Sequence, residues 1–400
     1  MRIGILTYHW VYNFGANLQT LATIGYLRNH GYEPIVINWI PEDLENRYDR
    51  YTKPEMASSF KDFQKENYPL TRVCRNAIDI ANEIRDNRIE GVFIGADTVL
   101  MLRTPKFSKR KLKFIQPIQT ERFPNPFWGE FLNYIDVPVV VYSVASLSTP
   151  YRKLKKQKSE ICDYIFRFND ITVRDRDTRE MIDYFTDGKI NPVITPDPVF
   201  NFNNSVSFSE YEAKTLERFN LNRKYVLLCL LEDYAPKFQE WSKKLDKYVQ
   251  DTGRTLIELP RQTGNQCLPI SQLSSSILNP LEWYIVIKNA DSFVGSLMHC
   301  VVSCIHNEVP FYSLDYYGTR KFFNRIIDYS TSKTYQIMKD CGLDCYYYNI
   351  AGKNKSLPPI EEIISALEHY DKDALHFAST SKQQESENTM KEVLRKLEDK

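Results

Sequence analysis

The residues best able to do chemistry are gathered between Asp291 and Lys321, DSFVGSLMHCVVSCIHNEVPFYSLDYYGTRK. His299 is the proton carrier of that stretch, since an imidazole titrates near neutral pH. Ser292 to Val294 reads as the end of a short apolar strand and Gly295-Ser296 as a turn. Leu297 to His306 reads as a helix and Val309 to Leu314 as the next buried strand. Ser296 is expected as the helix N-cap, with His299 in the first turn. Leu297, Cys300, Val301, Cys304 and Ile305 face the core at helical spacing, while Ser296, His299, Ser303 and His306 form a polar stripe. In open α/β sheets ligands bind beyond the carboxyl ends of the strands, and a helix N-terminus there suits an anion. The competing reading of His299 is a histidine satisfied within the core.

Two more groups stand at expected strand ends. Asn13, Asn17 and Gln19 follow the strand Ile3–Leu6, in TYHWVYNFGANLQ. Their neutral donors and acceptors make this a candidate ligand loop; loop and cap chemistry is the competing use of such residues. Asp97 ends the buried strand of GVFIGAD and either meets a ligand or caps the next element. The pairs Cys300/Cys304 and Cys341/Cys345 are spaced C-x3-C. The first lies on an apolar helix face, so core packing is favoured over a metal, and no metal is expected.

The elements that must position these residues alternate along the chain. A βαβ unit opens it: strand Ile3–Leu6, helix Ala16–His30 stopped by Gly31, strand Glu33–Trp39. Its first loop lacks the G-x-G-x-x-G of a dinucleotide site. A helix at Thr71–Arg85 and strands at Gly91–Ile94, Val137–Tyr142 and Ile171–Val173 follow. Asn201 to Ser209, polar and rich in Asn and Ser, reads as a linker. The pattern then restarts with strand Tyr225–Leu231, helix Lys237–Val249 and strand Thr255–Leu259. This predicts an α/β protein of two Rossmann-like domains, residues 1–203 and 204–378, then a polar tail 379–400 with a short helix.

The 400 residues suffice for two domains, and 42% hydrophobic content fills two cores. A net charge of +1 argues against a nucleic-acid partner. The basic runs 109–113 and 152–158 read as solvated faces, or as attraction to anionic lipid or a diphosphate carrier. With no secretory h-region and no apolar run long enough to span a bilayer, a cytoplasmic chain is expected, and those runs offer it a hold on the inner face of the membrane.

Taken in order, several segments resemble the polysaccharide pyruvyl transferase family over most of the chain, from Ile3 to Gly342. LTYHWVYNFGANLQT is similar to the family's N-terminal loop and GVFIGADTVL to its G-S-D segment, with Ala96 for Ser. ITVRDRDTREMI resembles the I-S-V-R-D/E block, TPDPVF the D-P segment after it, and GSLMHCVVSCIHNEVPFYSLDY the G-S-R-x-H block. The resemblance implies a glycosyltransferase-B-like pair of domains with an interdomain cleft. It implies transfer of the enolpyruvyl group of phosphoenolpyruvate onto a sugar of a glycan or lipid-linked precursor as a pyruvate ketal, without a metal or other cofactor. His299 matches the motif His and takes the acid/base role. On this resemblance Arg152, Arg174, Ser296, Arg320 and Lys321 bind the donor and Asn13, Asn17, Gln19 and Asp97 the acceptor sugar, whose hydroxyls suit neutral donors and acceptors better than a phosphate would, with residues 1–203 forming the acceptor side and 204–378 the donor side. The family Arg between Ser and His is Leu297 here, which leaves open a nucleotide-sugar glycosyltransferase or a non-catalytic member of the family.

Overall fold

The structure is a computed structural model that describes residues 1–45, 47–108, 112–221, 224–230, 238–261, 277–317, 319–321, 326–330, 332–351 and 356–398. In chain order the strands are β1 (Arg2–Leu6), β2 (Glu33–Val36), β3 (Gly91–Asp97), β4 (Lys106–Ser108), β5 (Lys113–Ile115), β6 (Val139–Val144), β7 (Asp170–Val173) and β8 (Val193–Ile194). They continue as β9 (Tyr225–Cys229), β10 (Thr255–Glu258), β11 (Ser292–Gly295), β12 (Phe311–Asp315), β13 (Thr319–Lys321), β14 (Ile326–Asp328) and β15 (Tyr347–Asn349). The helices are α1 (Phe14–Asn29), α2 (Pro54–Asn67), α3 (Ala77–Asp86), α4 (Lys158–Ile165), α5 (Arg176–Thr186), α6 (Phe202–Ser205) and α7 (Ser209–Arg218). After them come α8 (Gln239–Asp251), α9 (Pro280–Lys288), α10 (Met298–His306), α11 (Lys333–Asp340), α12 (Ile360–Glu368) and α13 (Lys372–Glu398).

Two parallel sheets form. The first runs β2-β1-β3-β6-β7-β8 and the second β10-β9-β11-β12-β15. The β6 pattern VVVYSV is buried throughout, as expected of a strand covered on both faces. Strand order reverses between β1 and β3 and again between β9 and β11, and these switch points are where doubly wound sheets open a crevice. The loop carrying Asn13 and the end of β3 at Asp97 flank the first switch point. Ser296 and His299 follow β11 at the second. The two Rossmann-like lobes expected from the alternation are therefore present.

One apolar layer joins the lobes. Phe14 of α1 stacks on Trp283 of α9 with ring centroids 5.0 Å apart, and a single buried cluster runs from Ile3 and Phe93 through Leu18 to Val301 and Phe311. Residues 201–209 are no loose linker. Asn201 and Phe202 are buried, and α6 packs so closely on α1 that a Cβ on Gly25 would meet the Ser205 carbonyl at 2.1 Å.

The C-terminal segment departs most from expectation. In place of a polar tail with a short helix, α13 is a continuous helix of 27 residues. Leu375, Ala378, Ser379, Ser386, Met390, Val393, Leu394 and Leu397 are buried along it, a helical stripe in which the serines allow close approach. Ser379 donates to the His306 carbonyl at 3.1 Å, and the far end reaches Gly91, where an added Cβ would lie 3.0 Å from Leu397. The helix thus runs from the second lobe back onto the first. The helix expected at 71–85 begins only at Ala77, capped by Asn76, and α2 was not anticipated.

Candidate active site

Asp197 is the centre of the site. It N-caps the turn of TPDPVF, accepting from Val199 N at 3.1 Å, and its side chain is wholly buried. Arg174, at the end of β7, donates from Nη1 to Asp197 Oδ2 at 2.6 Å, and its Nη2 lies 3.7 Å from Asp97 Oδ1. Gln19 Nε2 donates to the same Asp197 oxygen. From the opposite lobe, His299 Nε2 stands 3.8 Å from Asp197 Oδ2 and has no hydrogen-bond partner among the described residues. The ring lies flat on the backbone of α1, where a Cβ on Gly15 would come 2.0 Å from Nδ1. Glycine is required at 15 for that approach, so the site is assembled across the two lobes.

The charges are mutually set. Burial by itself would push the Asp197 carboxyl up, but the Arg174 charge offsets this and holds it below the usual range. Burial opposes the Arg174 charge, and Asp197 and Asp97 outweigh it. Burial pulls His299 below its ordinary value against the opposing pull of Asp197, so the ring is neutral at pH 7 and Nε2 can accept a proton.

Lys333 was not anticipated. It opens α11, which Ser332 N-caps through Tyr335 N at 3.3 Å. With Asp175 from the first lobe and Met298, Asp315 and Tyr317 from the second, it lines an open cavity of about 160 Å³. Burial and then the Arg174 charge push its ammonium down to about 8. The signal available in the sequence was only SKT ahead of a helical pattern, Ser as cap and Lys in the first turn.

The expected residues divide. His299, Arg174 and Asp97 come together. Gln19 is buried and reaches Asp197, so it positions that carboxylate rather than facing solvent. Asn17 is excluded from sugar contact: it is fully buried, donates to the Val11 and Asn13 carbonyls, each at 2.8 Å, and accepts from Gln64 and Tyr68. The cap reading holds for Asn13, whose side chain accepts from Ala16 N at 3.1 Å. Ser296 is not the cap of α10. Its N–H extends the ladder to the Cys229 carbonyl at 2.9 Å, which shifts the N-cap to Leu297 with no side-chain bond. The Ser296 hydroxyl is buried without a partner among the described residues, beside helix N–H groups that Leu297 does not cap. Arg152 is exposed and lies over the Tyr151 ring, 5.5 Å from its centroid, with no ion pair to the Asp197 cluster among the described residues. The side chains of Arg320 and Lys321 lie outside the described residues. Among the described residues no group of His, Cys, Asp and Glu could hold a metal ion, and no helix is long and apolar enough to cross a membrane.

The family model described as polysaccharide pyruvyl transferase matches residues 13–317. No curated protein matches the chain in sequence. Among solved structures, the UDP-GlcNAc 2-epimerase from Methanocaldococcus jannaschii is similar over 99% of this chain and 100% of its own, with TM-score 0.56 and 8% identity. The UDP-GlcNAc 2-epimerase from Neisseria meningitidis, bound to UDP-GlcNAc, is similar over 99% and 100%, with TM-score 0.55 and 10% identity. These likenesses show the fold, two Rossmann-like lobes of glycosyltransferase-B type.

Proposed function

The chain belongs to the polysaccharide pyruvyl transferase family, and on that premise we propose that it moves the enolpyruvyl group of phosphoenolpyruvate onto a glycan sugar, or its lipid-linked precursor, as a pyruvate ketal. Two sugar hydroxyls add to carbon 2. Carbon 3 gains a proton and becomes a methyl group, and phosphate leaves. The protons of the two hydroxyls end on carbon 3 and on phosphate, so the reaction balances without a redox partner.

The observation that carries this reading is the free Nε2 of His299, without a partner among the described residues, beside the Arg174–Asp197 pair. Neutral Nε2 takes a proton from an attacking hydroxyl, and Asp197 stabilises the imidazolium that results. Asp97 stands at the acceptor side of the crevice. The donor carries a carboxylate and a phosphate and needs several cations. Leu297 replaces the family Arg, and Lys333, on the wall of a cavity beside Asp175 and Met298 and near enough for the Arg174 charge to depress its ammonium, supplies the missing positive charge together with Arg174, the Ser296 hydroxyl and the uncapped start of α10. With phosphoenolpyruvate as donor, the reaction belongs in the cytoplasm, at the membrane where the acceptor is lipid-linked. The basic run 152–158 follows β6 at the same sheet edge, and its Lys155 and Lys156 are exposed.

The test is turnover of a His299→Ala variant. The expected loss is about 10²–10⁴-fold in kcat with an unchanged melting profile. An unchanged rate removes His299 from the chemistry.

A further inference from the structure

We propose that the hairpin β4–β5 is a membrane-docking element that inserts its apolar side chains into an anionic bilayer. Among the described residues the two strands pair only with each other, from Lys106 opposite Ile115 to Ser108 opposite Lys113. Phe107 and Phe114 pack edge to face across the ladder with centroids 5.3 Å apart. They nevertheless remain 53% and 63% exposed, with Leu112 at 78% and Ile115 at 47%. An isolated two-stranded ribbon carrying that much uncovered apolar surface is marginal in water and calls for a partner.

Charge decides which partner. Arg103, Lys106, Lys109, Arg110, Lys111 and Lys113 are balanced by no Asp or Glu between Thr98 and Thr120. A symmetric contact of the two strands with a second copy would set Lys106 and Lys113 against themselves. A layer of anionic headgroups over an acyl interior complements both the cations and the aromatic rings. Position agrees. The hairpin follows β3, and its root is held at the carboxyl edge of the first sheet by Leu102 N bonding to Thr149 Oγ1 at 2.9 Å and Arg103 N to the Glu121 carbonyl at 3.0 Å. Asp97 ends β3 at that edge, so docking there brings the acceptor side of the cleft to the membrane.

The inference rests on the proposed reaction only for the purpose of docking, and its test does not use the donor. The full chain is sedimented with phosphatidylcholine vesicles, with and without phosphatidylglycerol. Binding is expected to the anionic vesicles, to weaken with salt, and to fall about tenfold or more in the Phe107→Ser/Phe114→Ser variant. In a Phe114→Trp variant, brominated acyl chains should quench the indole introduced on β5. Turnover on a water-soluble acceptor should be the same in the serine variant and the parent. Equal sedimentation of parent and serine variant, an indole on β5 that stays unquenched, or a parent dimer that the serine variant splits would each overturn the proposal. Loss of pyruvyl transfer with vesicle binding intact would instead count against the reaction.

Discussion

At the scale of the residue, the candidate site rests on few side chains, and Lys333 gives the proposal a pH-dependent test. Lys333 is protonated below about 8 and neutral above it. If it holds the donor anion, kcat/KM for phosphoenolpyruvate falls as pH rises through that value, because this ratio reports the free enzyme. Lys333→Arg keeps its charge at all these pH values and should move the alkaline limb out of range. Lys333→Ala should raise the donor KM by about ten- to a hundredfold, the worth of one charge-assisted hydrogen bond. Steady-state kinetics from pH 6 to pH 10 check both outcomes, and an unchanged limb in the arginine variant assigns the titration elsewhere. The placement of His299 and Arg174 just beyond strand ends was legible at this scale from the apolar runs before them. Asn17 was misread, since sequence does not say which of its neighbours satisfy an amide. Lys333 was missed because it is distant in sequence from both motifs and meets them only through the fold.

At the scale of the element, most strands were legible because buried parallel strands read as apolar runs, as in VVVYSV. Helices with a mixed stripe were harder. In α2 the signals were present, with Pro54 at the first position and Met56, Phe60 and Phe63 on one buried face, but its charged surroundings obscured them. In α13 the buried stripe uses Ser379 and Ser386, which read as polar until the close contact they permit is seen. That helix bridges the lobes, so weakening it should destabilise the whole chain rather than fray its end. Leu394→Ala, at a position only 3% exposed, should cost about 2–5 kcal/mol. Denaturant unfolding followed by fluorescence checks this, and a loss under about 0.5 kcal/mol would show α13 to be peripheral.

At the scale of the whole molecule, the site exists only because two lobes meet. His299 comes from the second and Asp197, Arg174 and Gln19 from the first, with Gly15 giving the ring its place on α1. Two lobes were predictable from the repeated alternation of strand and helix; their closure through α1, α9 and α13 was not, because it depends on faces that only the folded chain brings together. The reaction is tested most directly by supplying phosphoenolpyruvate labelled in its carboxylate to the purified chain with a panel of glycan and lipid-linked acceptors. The account predicts label transfer to a sugar as an acid-labile ketal, one phosphate released per ketal, and neither in His299→Ala. A folded chain that transfers no label across the panel, and whose cleft binds a nucleotide sugar but not phosphoenolpyruvate in calorimetry, would contradict it.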